Sequence, residues 1–296
     1  MNERPLAFLV NTASGGQAGR HLFTVLSARF PGQVYPINAC DAVALGRDLA
    51  HSAGVLVACG GDGTVSHALE STWHCGGTVP VGIIPLGTGN DLSRQLGWGA
   101  QAPSGAALDR HLKRLGTATV RRMDRWILQG PSGERSWFNY WSTGLDAAVA
   151  LRFHRLRQDK PWLFRHRLIN LGIYGVLGCA TALQHLDGAV HCATVEVPAQ
   201  AGALLITNIR HWAGGVRLPS VITDDDGLCD GFALETGLGL ALTTLGWRQP
   251  RHLAAAATWT ITTTCTLPMQ CDGEPFLAEA GTWTVRPGGQ VSVLAI

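Results

Sequence analysis

Lysine is nearly missing from this chain. Lys113 and Lys160 are the only lysines among 23 basic side chains, and no Gly-x-x-x-x-Gly-Lys-Ser/Thr string occurs. A standard P-loop, which uses that lysine to reach the terminal phosphates, is therefore excluded. Charge is sparse in general, and a net value of +2 gives none of the basic field that nucleic acid demands. The eight cysteines show no Cys-x-x-Cys pair and no metal-ligand spacing, which reads as reduced, mostly buried thiols in a cytosolic protein. His67, His74, His111, His154 and His211 share no spacing that would join them into a metal set. The Ser14 and Ser66 hydroxyls have no evident triad partner, so nucleophilic hydrolysis is not indicated. Met1-Asn2-Glu3-Arg4-Pro5 lacks an apolar targeting run.

Glycine, by contrast, is plentiful, with 37 residues, and its most telling cluster follows an apolar strand. Val55 to Ala58 reads as a buried strand that runs through Cys59 into Gly60-Gly61-Asp62-Gly63-Thr64, and helix-compatible residues resume at Val65. Glycines let a ligand approach main chain closely, and amides at the start of a helix hold phosphate oxygens. Asp62, a single acid in that setting, is expected to face phosphates through a magnesium ion or its waters. Val81 to Ile84 is a second such strand, followed by Pro85-Leu86-Gly87-Thr88-Gly89-Asn90-Asp91. There Thr88 offers a hydroxyl, and Asn90 or Asp91 is placed to cap the next helix.

A third turn precedes both. Leu6 to Val10 is an apolar strand ending at Asn11-Thr12-Ala13-Ser14-Gly15-Gly16, and Leu22, Val25, Leu26 and Phe30 mark a helix face after it. Val34 to Pro36 begins another strand, Asp41 to Ser52 reads as a helix, and Ala107, Leu108, Leu112 and Leu115 mark one more. Strands alternating with helices predict a doubly wound, Rossmann-like α/β domain with all three turns on one sheet edge. Beyond Gly116 to Val120 the pattern changes to short strands: Arg122 to Gln129, Trp137 to Ser142, Thr258 to Cys265, and Trp283 with Val285 before a turn at Pro287-Gly288-Gly289. Two domains are expected, 1–121 doubly wound and 122–296 a mainly antiparallel β-sandwich, and a hydrophobic content of 46% supplies both cores.

Between those strands lies the apolar stretch Leu168 to Leu183. A membrane span needs roughly 20 apolar residues, and the polar Asn170 and Thr181 with the flanking Arg165, His166 and Arg167 favour a buried or interfacial helix. Arg155, Arg157, Lys160, Trp162, Phe164, Arg165 and Arg167 mix cations with aromatics, as a surface docking on anionic headgroups would. Thr223 to Gly231 is an acidic loop ahead of a strand, with oxygen ligands that suit magnesium or calcium.

The glycine loops together resemble the nucleotide-binding signature of the diacylglycerol kinase and lipid kinase family, and the strings Leu56 to Val65 and Pro85 to Trp98 resemble its diacylglycerol kinase branch. Phe138 to Ala147 and Leu151-Arg152-Phe153-His154 resemble that branch's accessory domain, so the likeness covers nearly the whole chain. Thr12 stands where the family commonly has proline. The resemblance implies ATP held by Asn11, Ser14, Gly60, Gly61, Asp62, Gly63, Thr64, Thr88, Asn90 and Asp91, with Mg2+ organised by Asp62 and Asp91. It places a structural magnesium at Asp226 and the carbonyls of Thr223 and Leu228. It puts the catalytic base at Glu274 of Asp272-Gly273-Glu274, with Asp62 as the other catalytic carboxylate.

The implied activity is ATP-dependent phosphorylation of the free hydroxyl of diacylglycerol, with the lipid head entering a cleft between the domains. The expected enzyme is a bare catalytic core, cytoplasmic and peripherally associated with the inner face of the membrane, where it meets its lipid substrate. It has no transmembrane segment and no nucleic-acid partner. Asn90, Ser93 and Arg94 are the expected donors to the ester carbonyls. A ceramide or sphingoid-base kinase shares fold and chemistry and is the nearest rival. NAD kinase, which also has a Gly-Gly-Asp-Gly-Thr turn, and a non-catalytic nucleotide sensor are the others.

Overall fold

The computed structural model describes residues 4–52, 54–159, 186, 188–219, 222–236 and 238–296. The chain divides into two compact units, Met1–Met123 with Gln290–Ile296, and Asp124–Gly289. The expected apolar helix at 168–183 lies outside the described residues. So does most of the expected docking surface, Lys160, Trp162, Phe164, Arg165 and Arg167, together with the side chain of Arg157.

The first unit is a parallel sheet wrapped by helices. Strands β1 (Leu6–Val10), β2 (Val34–Pro36), β3 (Val55–Gly60) and β4 (Val81–Pro85) lie in the order β2-β1-β3-β4. Leu6 sits opposite Val55, Val10 opposite Cys59, and Gly60 opposite Pro85, so β1, β3 and β4 end together at one edge. Every residue of β3 and β4 is buried, which is why both read as unbroken apolar runs rather than alternations. The helices are α1 (Ala18–Arg29), α2 (Ala42–His51), α3 (Asp62–Trp73), α4 (Asp91–Gln95) and α5 (Ala106–Thr117). Asp41 caps α2 by accepting from the amides of Val43 and Ala44, each at 3.0 Å.

The second unit is a β-sandwich. Its strands are β5 (Thr119–Gly130), which begins in the first unit, then β6 (Gly133–Trp137), β7 (Tyr140–Gly144), β8 (Val190–Cys192) and β9 (Ala203–Thr207). They continue with β10 (His211–Trp212), β11 (Val216–Arg217), β12 (Cys229–Leu234), β13 (Arg251–Ala256), β14 (Trp259–Thr263), β15 (Leu267–Cys271), β16 (Glu274–Ala278) and β17 (Gly281–Ala295). One sheet runs β13-β12-β9-β7-β15-β16, and β5, β6, β8, β14 and the first half of β17 form the other. Their facing sides share a core containing Trp126, Trp137, Trp141, Leu204, Ile206, Trp259, Ile261, Met269 and Trp283. The alternate residues of β9, Ala203 and Leu205, point the other way and pack with Leu145 and Val149 of α6 (Leu145–Asp159) and Leu240 of α7 (Leu238–Thr244). Each large aliphatic side chain buried in this way contributes about 1.5–3 kcal/mol of transfer free energy.

Three expectations need correction. The domain expected at 122–296 ends short of the C-terminus: Gln290–Ile296 returns to the first unit, where Val293 pairs with Val81 and Val291, Val293 and Leu294 are buried. The turn expected at Pro287-Gly288-Gly289 is part of β17. A Cβ on Gly288 would lie 2.7 Å from Ile127, so glycine serves a close approach inside a strand rather than a reversal. The strand expected from Trp137 to Ser142 is broken at Phe138-Asn139, where the chain passes from one sheet to the other.

Candidate active site

Three loops leave the same edge of the first unit's sheet, and they are locked together by main chain. The β3 loop enters α3 directly, with Gly61 at the N-cap position and Asp62 as the first helical residue. Leu86 N donates to Gly60 O at 2.8 Å, and Asn11 N donates to Cys59 O at 2.9 Å, so the β4 and β1 loops each hang on the end of β3. Asn11 Nδ2 reaches Thr64 Oγ1 at 3.2 Å, while Asn11 Oδ1 accepts from Ala13 N at 3.1 Å and shapes its own turn.

Glycine is required here for proximity. A Cβ on Gly87 would lie 2.5 Å from Gly61 Cα, and one on Gly60 would lie 2.2 Å from Thr64 Oγ1. Gly15, at φ +62°, would meet Leu86 O at 2.8 Å. The loops therefore meet through bare main chain beside the N-terminus of α3, a kind of surface that suits a polyphosphate.

Asp62 ties the β3 loop to the β4 loop. Its Oδ2 accepts from Asn90 N at 2.7 Å and its Oδ1 from Leu92 N at 3.3 Å, so it caps α4 from 28 residues away in the chain. Burial pushes its carboxyl pKa upward, against the pull of the amides of Leu92, Asn90, Asp91 and its own residue. Asn90 is not the side-chain cap that the sequence predicts. It adopts a left-handed conformation, φ 55°, and its amide group clasps the loop by accepting from Gly87 N at 3.0 Å. Its Nδ2 donates to Gly87 O and Ala100 O, both at 2.8 Å. Ser93 Oγ likewise donates to Gly99 O at 2.6 Å. The expected donors Asn90 and Ser93 are thus buried, with their side-chain donors engaged by main-chain carbonyls. Arg94 stays partly exposed and reaches Gly89 O through Nε at 3.4 Å.

The remaining predicted residues of this unit fall in the same loops. Ser14 N donates to Asn11 O at 3.0 Å, and Ser14 O accepts from Gly19 N at 3.1 Å. Gly63 is exposed, Thr88 is partly exposed, and Asp91 is buried in the first turn of α4.

Glu274 belongs to the second unit. It is exposed and opens β16, directly after the two-residue turn Asp272-Gly273, whose φ values of 51° and 86° give the primed geometry of a tight hairpin. Asp272 is the residue that sequence reasoning passed over. Its buried carboxylate accepts from the amides of Phe138 at 2.9 Å, Asn139 at 2.8 Å and Tyr140 at 3.2 Å, and its own N–H donates to Tyr140 O at 2.9 Å. This grip holds the corner that breaks the expected strand. The only sequence signal for it is that an aspartate before glycine is the natural first residue of such a turn.

The acidic loop of the second unit is closed by hydrogen bonds. Asp226 Oδ1 accepts from Leu228 N at 3.0 Å, its Oδ2 accepts from the Thr223 hydroxyl, and Gly227 N donates to Asp124 Oδ2 at 2.7 Å. Among the described residues no group of three or more His, Cys, Asp or Glu side chains is arranged for a metal ion.

The architecture is thus a doubly wound sheet with glycine loops on one edge and a β-sandwich as the second unit. Residues 5–124 match the diacylglycerol kinase catalytic domain and residues 137–275 the diacylglycerol kinase accessory domain. The chain belongs to the diacylglycerol kinase family. It is 31% identical to diacylglycerol kinase 2 of Arabidopsis thaliana over 330 residues, 98% of this chain and 46% of that protein. Against human diacylglycerol kinase theta it is 30% identical over 322 residues, 96% of this chain and 34% of that protein. The chain thus spans between a third and a half of the length of these curated relatives. The fold is similar to a crystal structure of a diacylglycerol kinase from Bacillus anthracis str. Sterne, with a TM-score of 0.60, 17% identity, and 100% and 98% of the two chains covered. Another solved structure from that organism gives a TM-score of 0.64 at 20% identity, covering 99% of this chain and 98% of that one.

Proposed function

We propose that this chain transfers the γ-phosphoryl group of ATP to the free hydroxyl of diacylglycerol, giving phosphatidic acid and ADP. The observation that carries the reading is the locked trio of loops, in which three strand ends meet through main chain and Gly60 and Gly87 leave no room for side chains. Asn11, Ser14, Gly60 to Thr64, Thr88 and Asn90 shape the phosphate site, Asn90 through the loop geometry that it enforces.

Magnesium, when bound, neutralises charge on the β- and γ-phosphates. Asp62 fits an ion held through water, because backbone amides already engage both of its oxygens. Asp91 adds a second carboxylate on the first turn of α4, the helix that Asp62 caps. Glu274 takes the hydroxyl proton as the lipid oxygen bonds to phosphorus and the bond to the ADP oxygen breaks. Its exposed position at a hairpin tip suits a group that must reach a substrate. A structural magnesium at Asp226 with the carbonyls of Thr223 and Leu228 belongs to the same reading. It is supported by the chemistry of the oxygen set, in a loop that also closes through its own hydrogen bonds.

The lipid would be met at a membrane surface, from the cytoplasmic side. Among the described residues no helix is long and apolar enough to cross a membrane. ATP transfer to a panel of lipids in mixed micelles tests the assignment. Diacylglycerol should exceed ceramide by about tenfold or more in kcat/KM, with sphingosine poorest because Arg94 would repel its amine. Higher turnover on ceramide would give the substrate to the sphingolipid reading and leave the kinase chemistry standing. No transfer to any lipid would overturn both.

A further inference from the structure

The hairpin that carries Glu274 is held by more than its own turn. Gly273 N donates to Gln270 Oε1 at 2.7 Å, and Gln270 Nε2 donates to Ser142 Oγ at 2.9 Å and to Asp146 Oδ2 at 3.4 Å. Ser142 Oγ in turn donates to Asp146 Oδ2 at 2.6 Å. The three side chains are 1%, 0% and 3% exposed for Gln270, Ser142 and Asp146.

Polar groups at that depth cost free energy unless their partners are in place. Apolar side chains of similar shape could fill such a space with little loss of stability, so a connected polar chain defines geometry more than it adds stability. The turn does not need the chain in order to close. Positive φ at Asp272 and Gly273 and the pairing of Cys271 with Glu274 already make the hairpin.

What the chain adds is a fixed order of protons. The single hydroxyl proton of Ser142 goes to the Asp146 carboxylate, so the Ser142 oxygen is left to accept. Gln270 must then turn Nε2 toward Ser142, which turns Oε1 toward the N–H of Gly273. That N–H belongs to the peptide between Asp272 and Gly273, one residue ahead of Glu274, and rotation of that peptide would swing the direction in which Glu274 leaves the turn.

Resting on the reading of Glu274 as the base, we propose that Asp146, Ser142 and Gln270 form a positioning relay. It runs from the first turn of α6 to the Gly273 amide and orients Glu274 for proton removal. None of the three touches the substrate.

Ser142→Ala cuts the relay in the middle, and Gln270→Glu keeps its volume and its acceptor for Gly273 while losing both donors. Each should lower kcat by about tenfold or more, because misplacing a catalytic group by an ångström is enough for that. KM for ATP and for lipid should stay within about twofold, since uniform binding is untouched. Each should also lose its effect in a Glu274→Gln background, where no base remains to be oriented. The relay is overturned if both folded variants keep parental turnover, or if the same loss persists in the Glu274→Gln background. If Glu274→Gln itself keeps parental turnover, the base reading fails and takes the relay with it. If instead Glu274→Gln is inactive while Ser142→Ala and Gln270→Glu are not, the relay alone is wrong.

Discussion

The main-chain N–H of Asn90 donates to Asp62 Oδ2 at 2.7 Å, so a carboxylate on the first turn of α3 caps the short helix that follows the β4 loop. Leu92 N completes the cap at 3.3 Å. The acid of the Gly-Gly-Asp-Gly-Thr turn is thus a tie between the β3 and β4 loops.

Asp62→Asn should abolish measurable transfer while the chain still folds. Loss of the charged cap should cost about 1–2 kcal/mol of stability, the usual worth of such a helix end. Turnover and urea unfolding, compared with the parent, check both parts. Turnover within about tenfold of the parent would leave Asp62 less than about 1.4 kcal/mol of transition-state stabilisation, too little for its assigned place.

Gly87→Ala tests the close approach of the loops. Its Cβ would lie 2.5 Å from Gly61 Cα, where backbone must shift to admit it. ATP-analogue affinity should fall by about tenfold or more, as a displaced cradle predicts. Gly116→Ala is the matched control, because nothing lies within 4 Å of its Cβ and it sits in α5. That change should leave affinity unaltered and raise stability by up to about 1 kcal/mol through helix propensity.

Glu274→Gln should leave the affinity for an ATP analogue nearly unchanged and lower turnover by roughly 10²-fold or more, the contribution expected of a general base. Calorimetric titration and steady-state kinetics separate the two. A large loss of nucleotide affinity with intact turnover would remove Glu274 from that role.

His111 makes the stability of the first unit depend on pH. Burial lowers its pKa, and Arg114 adds to that effect, while the Ile83 carbonyl, 2.7 Å from Nε2, pulls in the opposite direction. A depressed histidine pKa means that the native state holds fewer protons than the unfolded chain. Its contribution is therefore fully present above the unfolded value, about 6.5, and is lost as pH falls from there through the depressed native value. Urea midpoints of the parent should drop between pH 7.5 and pH 5 by more than those of His111→Gln, which cannot titrate. Equal drops would show that His111 does not carry the effect.

The parallel sheet was legible in the sequence because its strands are buried on both faces and so read as short apolar runs ending at glycine. Asp41 is in place as the α2 cap, and the three loops stand at the strand ends where the spacing puts them. The roles of Asn90 and Ser93 were not legible. Both side chains look like free donors in the sequence, but the folded loop turns them onto Gly87, Ala100 and Gly99 carbonyls, and main-chain geometry carries no sequence signal of its own. Gly288 misled for a related reason. Glycine marks a turn and a close packing contact with the same letter, and only the neighbouring Ile127 decides which it is.

Local sequence determined the βα alternation, the glycine loops and the Asp272-Gly273 turn, since these rest on side-chain period and on φ preferences within a few residues. Tertiary structure alone decided the rest. It brought Asp62 to the amides of Asn90 and Leu92, Asp272 to the corner at Phe138 to Tyr140, and Gln270 to Ser142 and Asp146 across more than 120 residues of chain. It also returned Gln290–Ile296 to the first unit, where Val293 pairs with Val81. The physical reason is that a hydrogen bond forms wherever a donor and acceptor are held about 3 Å apart, whatever chain separates them, and buried polar groups must find such partners once the cores have closed around them.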